Sequence, residues 1–304
     1  MTQVAHPSHR GSICLEDGKI LAHETHAADQ FVLRIAAPKC AARATAGCFV
    51  HLQVDDAIPM RRPLSLMRAD ADAGWIEILY KIVGPGLDAL SRRRVGETLS
   101  VLGPIGHGFT PHADRPRALL IGGGVGIPPM VYLAETLHAE RLAGRGAWNS
   151  LALMGSEIPF PFATRPSTII VPGMPSGVIA AHPLLESWGV PSRLASRAGF
   201  PGCHDGFVTD LAAHWLESLD AAARAEVEVF ACGPTPMLEA VARLAARHAL
   251  PCQVSLEEFM ACAVGGCAGC VVKVTTPAGV AMKRVCVDGP VFEAATVFDV
   301  VAQH

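Results

Sequence analysis

The chain has 304 residues, of which 50% are hydrophobic and 17% charged, with a formal net charge of −3. This length sets two domains as the starting expectation, with room for a small third unit. The apolar fraction excludes a disordered chain, and near-neutral charge argues against a nucleic-acid binder, which carries a basic excess. Ten cysteines, 29 glycines and 23 prolines leave the question of where those residues fall. A disulfide scaffold belongs to short secreted chains, and the opening MTQVAHPSHRGSICLEDGK has no apolar run of signal-peptide type. A cytoplasmic location is therefore expected, where clustered thiols usually hold metal.

Residues 1–17 read as an N-terminal extension. Residues 18–112 carry short β-favouring runs at 31–37, 48–54 and 75–83, separated by turns rich in Pro, Gly and Asp. That spacing predicts a small antiparallel β-barrel. Arg61-Arg62-Pro63-Leu64-Ser65 is expected to end one barrel strand. Arg offers a fork for phosphate, and Ser a donor for a flavin ring edge. Tyr80 to Gly86, YKIVGPG, adds an aromatic side chain and a glycine turn able to pass close to a ligand. Exposed arginines and a plain hairpin are the alternative for both segments.

Residues 113–249 change to strand–helix alternation, predicting an α/β domain with a mainly parallel sheet. The uncharged run 118–134, ALLIGGGVGIPPMVYLA, is too short and too rich in Gly and Pro for a membrane span. It reads as a strand, a tight turn and a helix that stops at Gly144. Further strands are expected at 151–156, 167–173, 192–196 and 226–233, with helices at 182–189, 208–225 and 235–250. Gly122, Gly124 and Gly126 stand at the first strand-to-helix change, where backbone can approach a pyrophosphate at a helix N-terminus. Pro128 fills the third place of G-x-G-x-x-G, so a turn kept for packing is the alternative. Cys232-Gly233-Pro234 lies at a second strand-to-helix change. Cys232 there either abuts a nicotinamide or is merely a buried thiol. Scattered histidines such as His107, His112 and His204 read as loop or surface residues rather than catalysts.

Residues 250–304 are short elements around Cys262, Cys267, Cys270 and Cys286, spaced C-x4-C-x2-C-x15-C. Three close thiols and one remote one form the plant-type [2Fe–2S] spacing. The intervening AVGG and AG are small, which lets a tight loop turn its N–H groups toward sulfide. Lys273, Lys283 and Arg284 are available to temper the negative charge. A structural zinc site, unliganded thiols, and a dithiol pair at Cys267 and Cys270 are the alternatives. Zinc knuckles, however, commonly use two close pairs.

Taken together, these motifs are similar to those of the iron–sulfur/FAD electron-transfer subunit of NAD-linked dihydroorotate dehydrogenase, within the ferredoxin-reductase-like superfamily. The likeness covers nearly all of residues 18–304, and SLEEFMACAVGGCAGC with the remote Cys286 is its most specific part. The resemblance implies a flavin-binding antiparallel β-barrel (18–112), a ferredoxin-reductase-like α/β nucleotide domain (113–249) and a small C-terminal [2Fe–2S] domain (250–304). It assigns cluster ligation to Cys262, Cys267, Cys270 and Cys286, and FAD contacts to Arg62, Pro63, Leu64, Ser65, Val83, Gly84 and Gly86, beside the Tyr80 that the residues themselves suggest. Dinucleotide contacts fall to Gly122, Gly124, Gly126, Cys232, Gly233 and Pro234. No residue acts as an acid or base here, because orotate chemistry belongs to an FMN-containing catalytic subunit, expected with two copies of each subunit. Electrons would pass from that FMN through [2Fe–2S] and FAD to NAD as co-substrate, in pyrimidine biosynthesis. The nearest alternative is the same module serving a hydrogenase, a ferredoxin:NADP oxidoreductase or a sulfur-reducing complex. A zinc-stabilised interaction protein without activity is the second.

Three departures from the family pattern stand out. Relatives usually have Thr where this chain has Leu87, and Gly where it has Ala263. Many carry Asp-Asp-Gly before their Val-Thr helix start, whereas this chain has Ser196-Arg197-Ala198-Gly199 and then Cys203-His204-Asp205-Gly206. The choice between NAD and NADP is thereby left open.

Overall fold

A computed structural model describes residue 11 and residues 13–299. The chain first builds six antiparallel strands: β1 (Cys14–His26), β2 (Gln30–Ala36), β3 (Phe49–Gln53), β4 (Arg62–Asp70), β5 (Trp75–Lys81) and β6 (Thr98–Ile105). Helix α1 (Pro38–Ala41) follows β2, and α2 (Pro85–Ser91) follows β5. The strands close into a barrel in the order β1-β2-β5-β4-β3-β6. Alternation explains the closure, since Leu33, Ile35, Leu52, Leu66, Ile76 and Ile78 all point inward at 0% exposure. Each such side chain contributes about 1.5–3 kcal/mol relative to leaving it in water.

Two expectations shift here. Strand β1 begins at Cys14, within the stretch expected as an extension, because Cys14 to Lys19 pair with Gly103 to Thr98 of β6. Residues 1–10 and 12 of that stretch lie outside the described residues. The Arg62 segment opens β4 instead of ending a strand, with Pro63 opposite His51.

The second unit runs β7 (Arg117–Gly123), α3 (Ile127–Leu142), β8 (Leu151–Gly155), the short β9 (Arg165–Pro166) and β10 (Ala180–Ala181), then α4 (Pro183–Ser187). It continues with β11 (Ser192–Ala195), α5 (Val208–Ser218), α6 (Ala221–Ala225), β12 (Val227–Cys232), α7 (Thr235–Arg247) and β13 (Cys252–Ser255). Strands β11-β8-β7-β12-β13 are parallel. The uncharged run at 118–134 is explained by what covers it. Strand β7 is central in the sheet, and α3 is buried from Ile127 to Ala134. On its barrel side the Tyr132 hydroxyl donates to the Ala44 carbonyl at 3.1 Å. Gly144, at φ +69, ends the helix as expected.

Residues 167–173 do not form the expected strand. Glu186 captures this segment, accepting from the Ser167 hydroxyl at 2.9 Å and the Thr168 N–H at 2.7 Å, and Ile170 is 88% exposed. The helix expected over 208–225 is broken in two. Leu219 is extended and the Asp220 carboxylate caps α6 by accepting from the Ala223 N–H.

The C-terminal elements are β14 (Val271–Thr276), β15 (Gly279–Arg284), α8 (Val285–Asp288), β16 (Val291–Glu293) and α9 (Ala294–Val297). Strands β14 and β15 form a hairpin, while β16 adds antiparallel to β13. Strand β13, past residue 250, completes the parallel sheet beside β12, with Val254 at 0% exposure. Among the described residues, no helix is long and apolar enough to cross a membrane.

Candidate functional site

A cleft of about 1030 Å³ opens where the barrel, the parallel sheet and the cysteine loop meet. Strand β4 supplies Arg62, Pro63, Leu64 and Ser65 to its wall, β5 supplies Tyr80, the turn before α2 supplies Val83 and Gly84, and α2 itself supplies Gly86 and Leu87. The two neighbouring arginines have separate tasks. Arg61, though it also borders the cleft, is held by the barrel strands, donating to the Ser100 carbonyl and hydroxyl, both at 2.9 Å. Arg62 lies along the cleft, braced by the Met60 carbonyl at 2.7 Å. A Cβ on Gly86 would fall 2.2 Å from Arg62 Nε, so only glycine lets the guanidinium lie there. Gly84 has open space where a Cβ would stand, so its backbone faces the cleft.

Tyr80 borders the cleft but is 1% exposed. Its ring stacks on Phe31 at 5.2 Å, and its hydroxyl meets His23 Nε2 at 2.8 Å. His23 Nδ1 donates to the Arg93 carbonyl, so in the neutral ring Nε2 accepts and Tyr80 is the donor. Tyr80 therefore stiffens β5 from the barrel side.

The glycine turn after β7 separates into two uses. A Cβ on Gly126 would stand 2.3 Å from the Cys232 carbonyl oxygen, and one on Gly123 would stand 2.4 Å from Met237 Sδ. Gly122 is equally confined, 3.0 Å from Ile127 Cα. These three let the two strand-to-helix turns pack together. Gly124 is different: its φ is +54 and nothing lies within 4 Å of a Cβ there, so the left-handed backbone of the turn, not packing, calls for glycine. Val125 and Thr235 from the two turns reach the cleft wall. Gly122, Gly124, Gly126, Cys232, Gly233 and Pro234 stand behind it, at the carboxyl ends of β7 and β12.

Cys232 is 0% exposed. Burial pushes its thiol well up, the nearby Glu257 carboxylate adds to this, and the Ser255 hydroxyl opposes it. Ser255 and Glu257 both line the cleft, and desolvation raises the Glu257 carboxyl above its ordinary value. Sequence reasoning missed both residues. Glu257 stands two residues past β13, and only the parallel pairing of β13 with β12 brings it beside Cys232.

The four clustered cysteines lie in one loop system as two pairs, Cys262 with Cys267 and Cys270 with Cys286. Cys270 Sγ and Cys286 Sγ are 3.3 Å apart and both are buried. Cys262 Sγ accepts from the N–H groups of Gly266 at 3.3 Å and Cys267 at 3.4 Å, while Cys267 Sγ accepts from Gly269 at 3.4 Å. For Cys262, desolvation acts upward, but N–H groups of Val264, Cys267 and Gly266 and the Cys267 thiol outweigh it and bring the thiol down to about 7. Desolvation and the Cys270 thiol push Cys286 up to about 12. The loop turns sharply, with Ala263, Gly265 and Ala268 at φ +55, +81 and +53. Arg284 pins it by donating to the Gly265 carbonyl at 2.9 Å, and Asp288 ties down Lys283. Among the described residues no three such side chains stand gathered as a metal-binding group; the donor chemistry, four thiols with backbone N–H groups aimed at sulfur, is that of a tetrathiolate iron–sulfur site. Gly269, beside ligand candidate Cys270, also lines the cleft that holds Arg62.

The histidines read as non-catalytic lie in loops with structural partners. His112 Nδ1 meets the buried Glu228 carboxylate at 2.8 Å, and the His204 carbonyl accepts from Ser196 N–H at 2.9 Å. His107 Nε2 meets the Val287 carbonyl at 3.1 Å.

Residues 257–298 match the family described as the iron–sulfur cluster binding domain of dihydroorotate dehydrogenase B. The protein of Geobacillus sp. (strain WCH70) named dihydroorotate dehydrogenase B (NAD(+)), electron transfer subunit, is 36% identical over 83% of this chain and 86% of its own length. That of Geobacillus thermodenitrificans (strain NG80-2), named alike, is 37% identical over 83% and 86%. Among solved structures, the NADH-dependent reduced ferredoxin-NADP oxidoreductase aligns with a TM-score of 0.72 at 25% identity, covering 92% of this chain and 89% of that one. A ferredoxin NADP+ reductase from Neisseria gonorrhoeae aligns at 0.55 and 17% identity over 76% and 90%, a likeness of fold.

Proposed function

The chain belongs to the family of dihydroorotate dehydrogenase B electron-transfer subunits, and from that premise we propose that it connects an FMN-containing dihydroorotate dehydrogenase subunit to a nicotinamide dinucleotide. The observation that carries this reading is the shared wall of the cleft. Flavin-site candidates Arg62 to Ser65, the turn at Val125 and the cysteine loop at Gly269 all border one cavity. Bound there, FAD supplies the exchange between a two-electron hydride and single electrons, which a [2Fe–2S] cluster carries one at a time.

The remaining work falls to the chain's own residues. Arg62 offers its fork to a diphosphate, with Pro63, Leu64 and Ser65 along the ring and the backbone at Gly84 facing the ligand. Gly124 lets the dinucleotide approach the N-terminus of α3. Ser255 and Glu257, with Cys232 buried behind them, form the wall where a nicotinamide would meet the flavin. Cys262, Cys267, Cys270 and Cys286 hold the iron. The domain limits proposed are 13–112 for the flavin barrel, 113–255 for the dinucleotide sheet and 256–299 for the cluster unit, with β16 returning to the sheet. The proposed partner is the FMN subunit, two copies of each, acting in pyrimidine biosynthesis, with the NAD(+) that the relatives' names carry as acceptor.

The test is to co-purify the complex from its native cell, take its ultraviolet–visible spectrum, and assay dihydroorotate-dependent dinucleotide reduction. A flavin and iron–sulfur spectrum with that activity is expected. Colourless protein holding one zinc would overturn the reading. A second reading, a module of another flavin/iron–sulfur oxidoreductase, is favoured by the 0.72 alignment to the NADH-dependent ferredoxin-NADP enzyme. Recovery of a different partner in the same purification would select it.

A further inference from the structure

His51 is 0% exposed, and neither of its ring nitrogens makes a hydrogen bond. Buried side-chain nitrogens are rarely left so, and each exception calls for a reason. The residue lies on β3, with Pro63 of the flavin-site strand opposite on one side and Leu102 of β6 on the other. Its neighbours Val50 and Leu52 fill the barrel, so His51 and Phe49 point outward. On that outer face Phe49 shares one buried cluster with Met260, Ala263, Cys270 and Cys286. His51 itself does not border the cleft; it stands behind Arg61, Pro63 and Met260, which do.

The imidazole is neutral. Burial first, and then the Arg61 charge, hold it down to about 4, while the carbonyls of Arg61 and Met260 act in the opposite direction. A neutral ring carries one N–H and can serve one carbonyl. On the strand side the partners are already engaged. The Arg61 carbonyl accepts from Arg62 Nη1 at 3.2 Å. The His51 carbonyl, opposite a proline with no N–H to give, accepts from Arg61 Nη1 at 3.1 Å. That leaves Met260, two residues before Cys262, as the acceptor on the cysteine side.

We propose that His51 is a positioning residue, which in the cofactor-loaded protein donates its one N–H to the Met260 carbonyl and so fixes the cysteine loop against the flavin strand. The inference rests on the cleft holding flavin and the four cysteines holding the cluster, and it names the residue that sets their spacing. His51 carries neither electron nor proton. Its backbone belongs to the flavin strand's partner and its side chain to the approach of the first cysteine, so one residue couples the two sites. Reaction between held groups falls steeply when either is displaced.

The test mixes the flavin- and iron-loaded protein with NADH without oxygen and follows the flavin and cluster absorbance bands separately. Amide hydrogen exchange over residues 258–264 is measured beside it. In His51→Leu the flavin band is expected to bleach at its former rate and the cluster band about tenfold more slowly, since a misplacement of about 1 Å costs up to about a hundredfold. Exchange in the 258–264 segment should quicken. His51→Asn and His51→Gln place an amide N–H near Nδ1 and Nε2 respectively, and one of them should restore both measurements. Equal slowing of the two bands, an unchanged cluster band in His51→Leu, or failure of both amides to restore it would overturn the proposal. If His51→Leu loses its iron, His51→Phe, which keeps the ring without its nitrogens, carries the same expectations. Iron loss in both would also overturn the proposal and make His51 part of the scaffold. Unaltered protein that takes up no flavin or no iron would overturn the underlying reading of the sites instead.

Discussion

Arg68 of β4 grips Glu135 of α3, with its Nε 3.0 Å and 3.1 Å from the two carboxylate oxygens. The guanidinium also lies 5.3 Å from the Trp75 ring and 5.4 Å from the Trp188 ring. One side chain thus joins the barrel to a helix and to the end of α4. Neither carboxylate nor guanidinium is more than 26% exposed, so the pair is worth more than a surface ion pair. Glu135→Ala is expected to destabilise the protein by roughly 2 kcal/mol, since it leaves a desolvated charge unpaired. Arg68→Lys should lose part of this, because an ammonium cannot reproduce the fork. Denaturant midpoints measure both, and an unchanged midpoint for Glu135→Ala would contradict the account.

Gly86→Ala separates the flavin site from the fold. Position 86 lies inside α2 and its φ is not positive, so alanine suits the backbone and should raise helix stability by up to about 1 kcal/mol. The added methyl would nevertheless displace the Arg62 guanidinium, whose carbon Cζ lies 2.5 Å from the ideal Cβ position. The expected result is protein with an unchanged or higher melting temperature and about tenfold weaker FAD retention, as for a lost charged contact. Full flavin content would show that Arg62 does not hold it.

Ala263 and Ala268 occupy left-handed backbone at φ +55 and +53, a conformation that costs an L-residue roughly 1 kcal/mol. The replacement of the family's usual glycine at Ala263 therefore leaves a small strain in the cluster loop. Ala263→Gly should relieve it and slow iron loss to a chelator several-fold. Faster loss would mean that the buried Ala263 methyl contributes more through packing than the backbone strain removes.

His112 gives the fold a pH dependence. Its hydrogen bond to Glu228, and then that carboxylate's charge, raise the imidazole above its ordinary value of 6.5. A raised folded-state value contributes stability that is complete below pH 6.5 and is lost as pH climbs through the raised value. The ring is 52% exposed, so solvent screening keeps the effect small. Melting temperature should fall slightly from about pH 6 to pH 8, where an ordinary histidine titrates, and His112→Asn should flatten that slope. An identical slope in the variant would place the titration elsewhere.

Local patterns were the legible ones. The spacing of Cys262, Cys267, Cys270 and Cys286 lies within 25 residues, and the apolar strand, glycines and helix of 118–134 are contiguous, so each could be recognised without the fold. Residues 167–173 misled because an apolar Ile-Ile-Val run resembles a strand. The carboxylate that holds it as a loop, Glu186, comes from α4. The same blindness hid Glu257, Ser255 and the Arg68–Glu135 clamp, whose partners meet only after the sheet and barrel form. The glycine turn was legible as a turn, but its division into Gly124 for the backbone conformation and Gly122, Gly123 and Gly126 for packing needed the Cys232–Met237 loop beside it.

The central claim is that flavin and cluster act in series, with the cysteine loop on the partner's side of the cleft. Cys267→Ser tests it most directly, measured in the complex for dihydroorotate-dependent dinucleotide reduction and for dinucleotide-dependent dye reduction. The account predicts loss of the cluster's absorbance and of the first activity, with most of the dye reduction retained. Equal loss of both activities would contradict it and make the cysteines a scaffold for the flavin site.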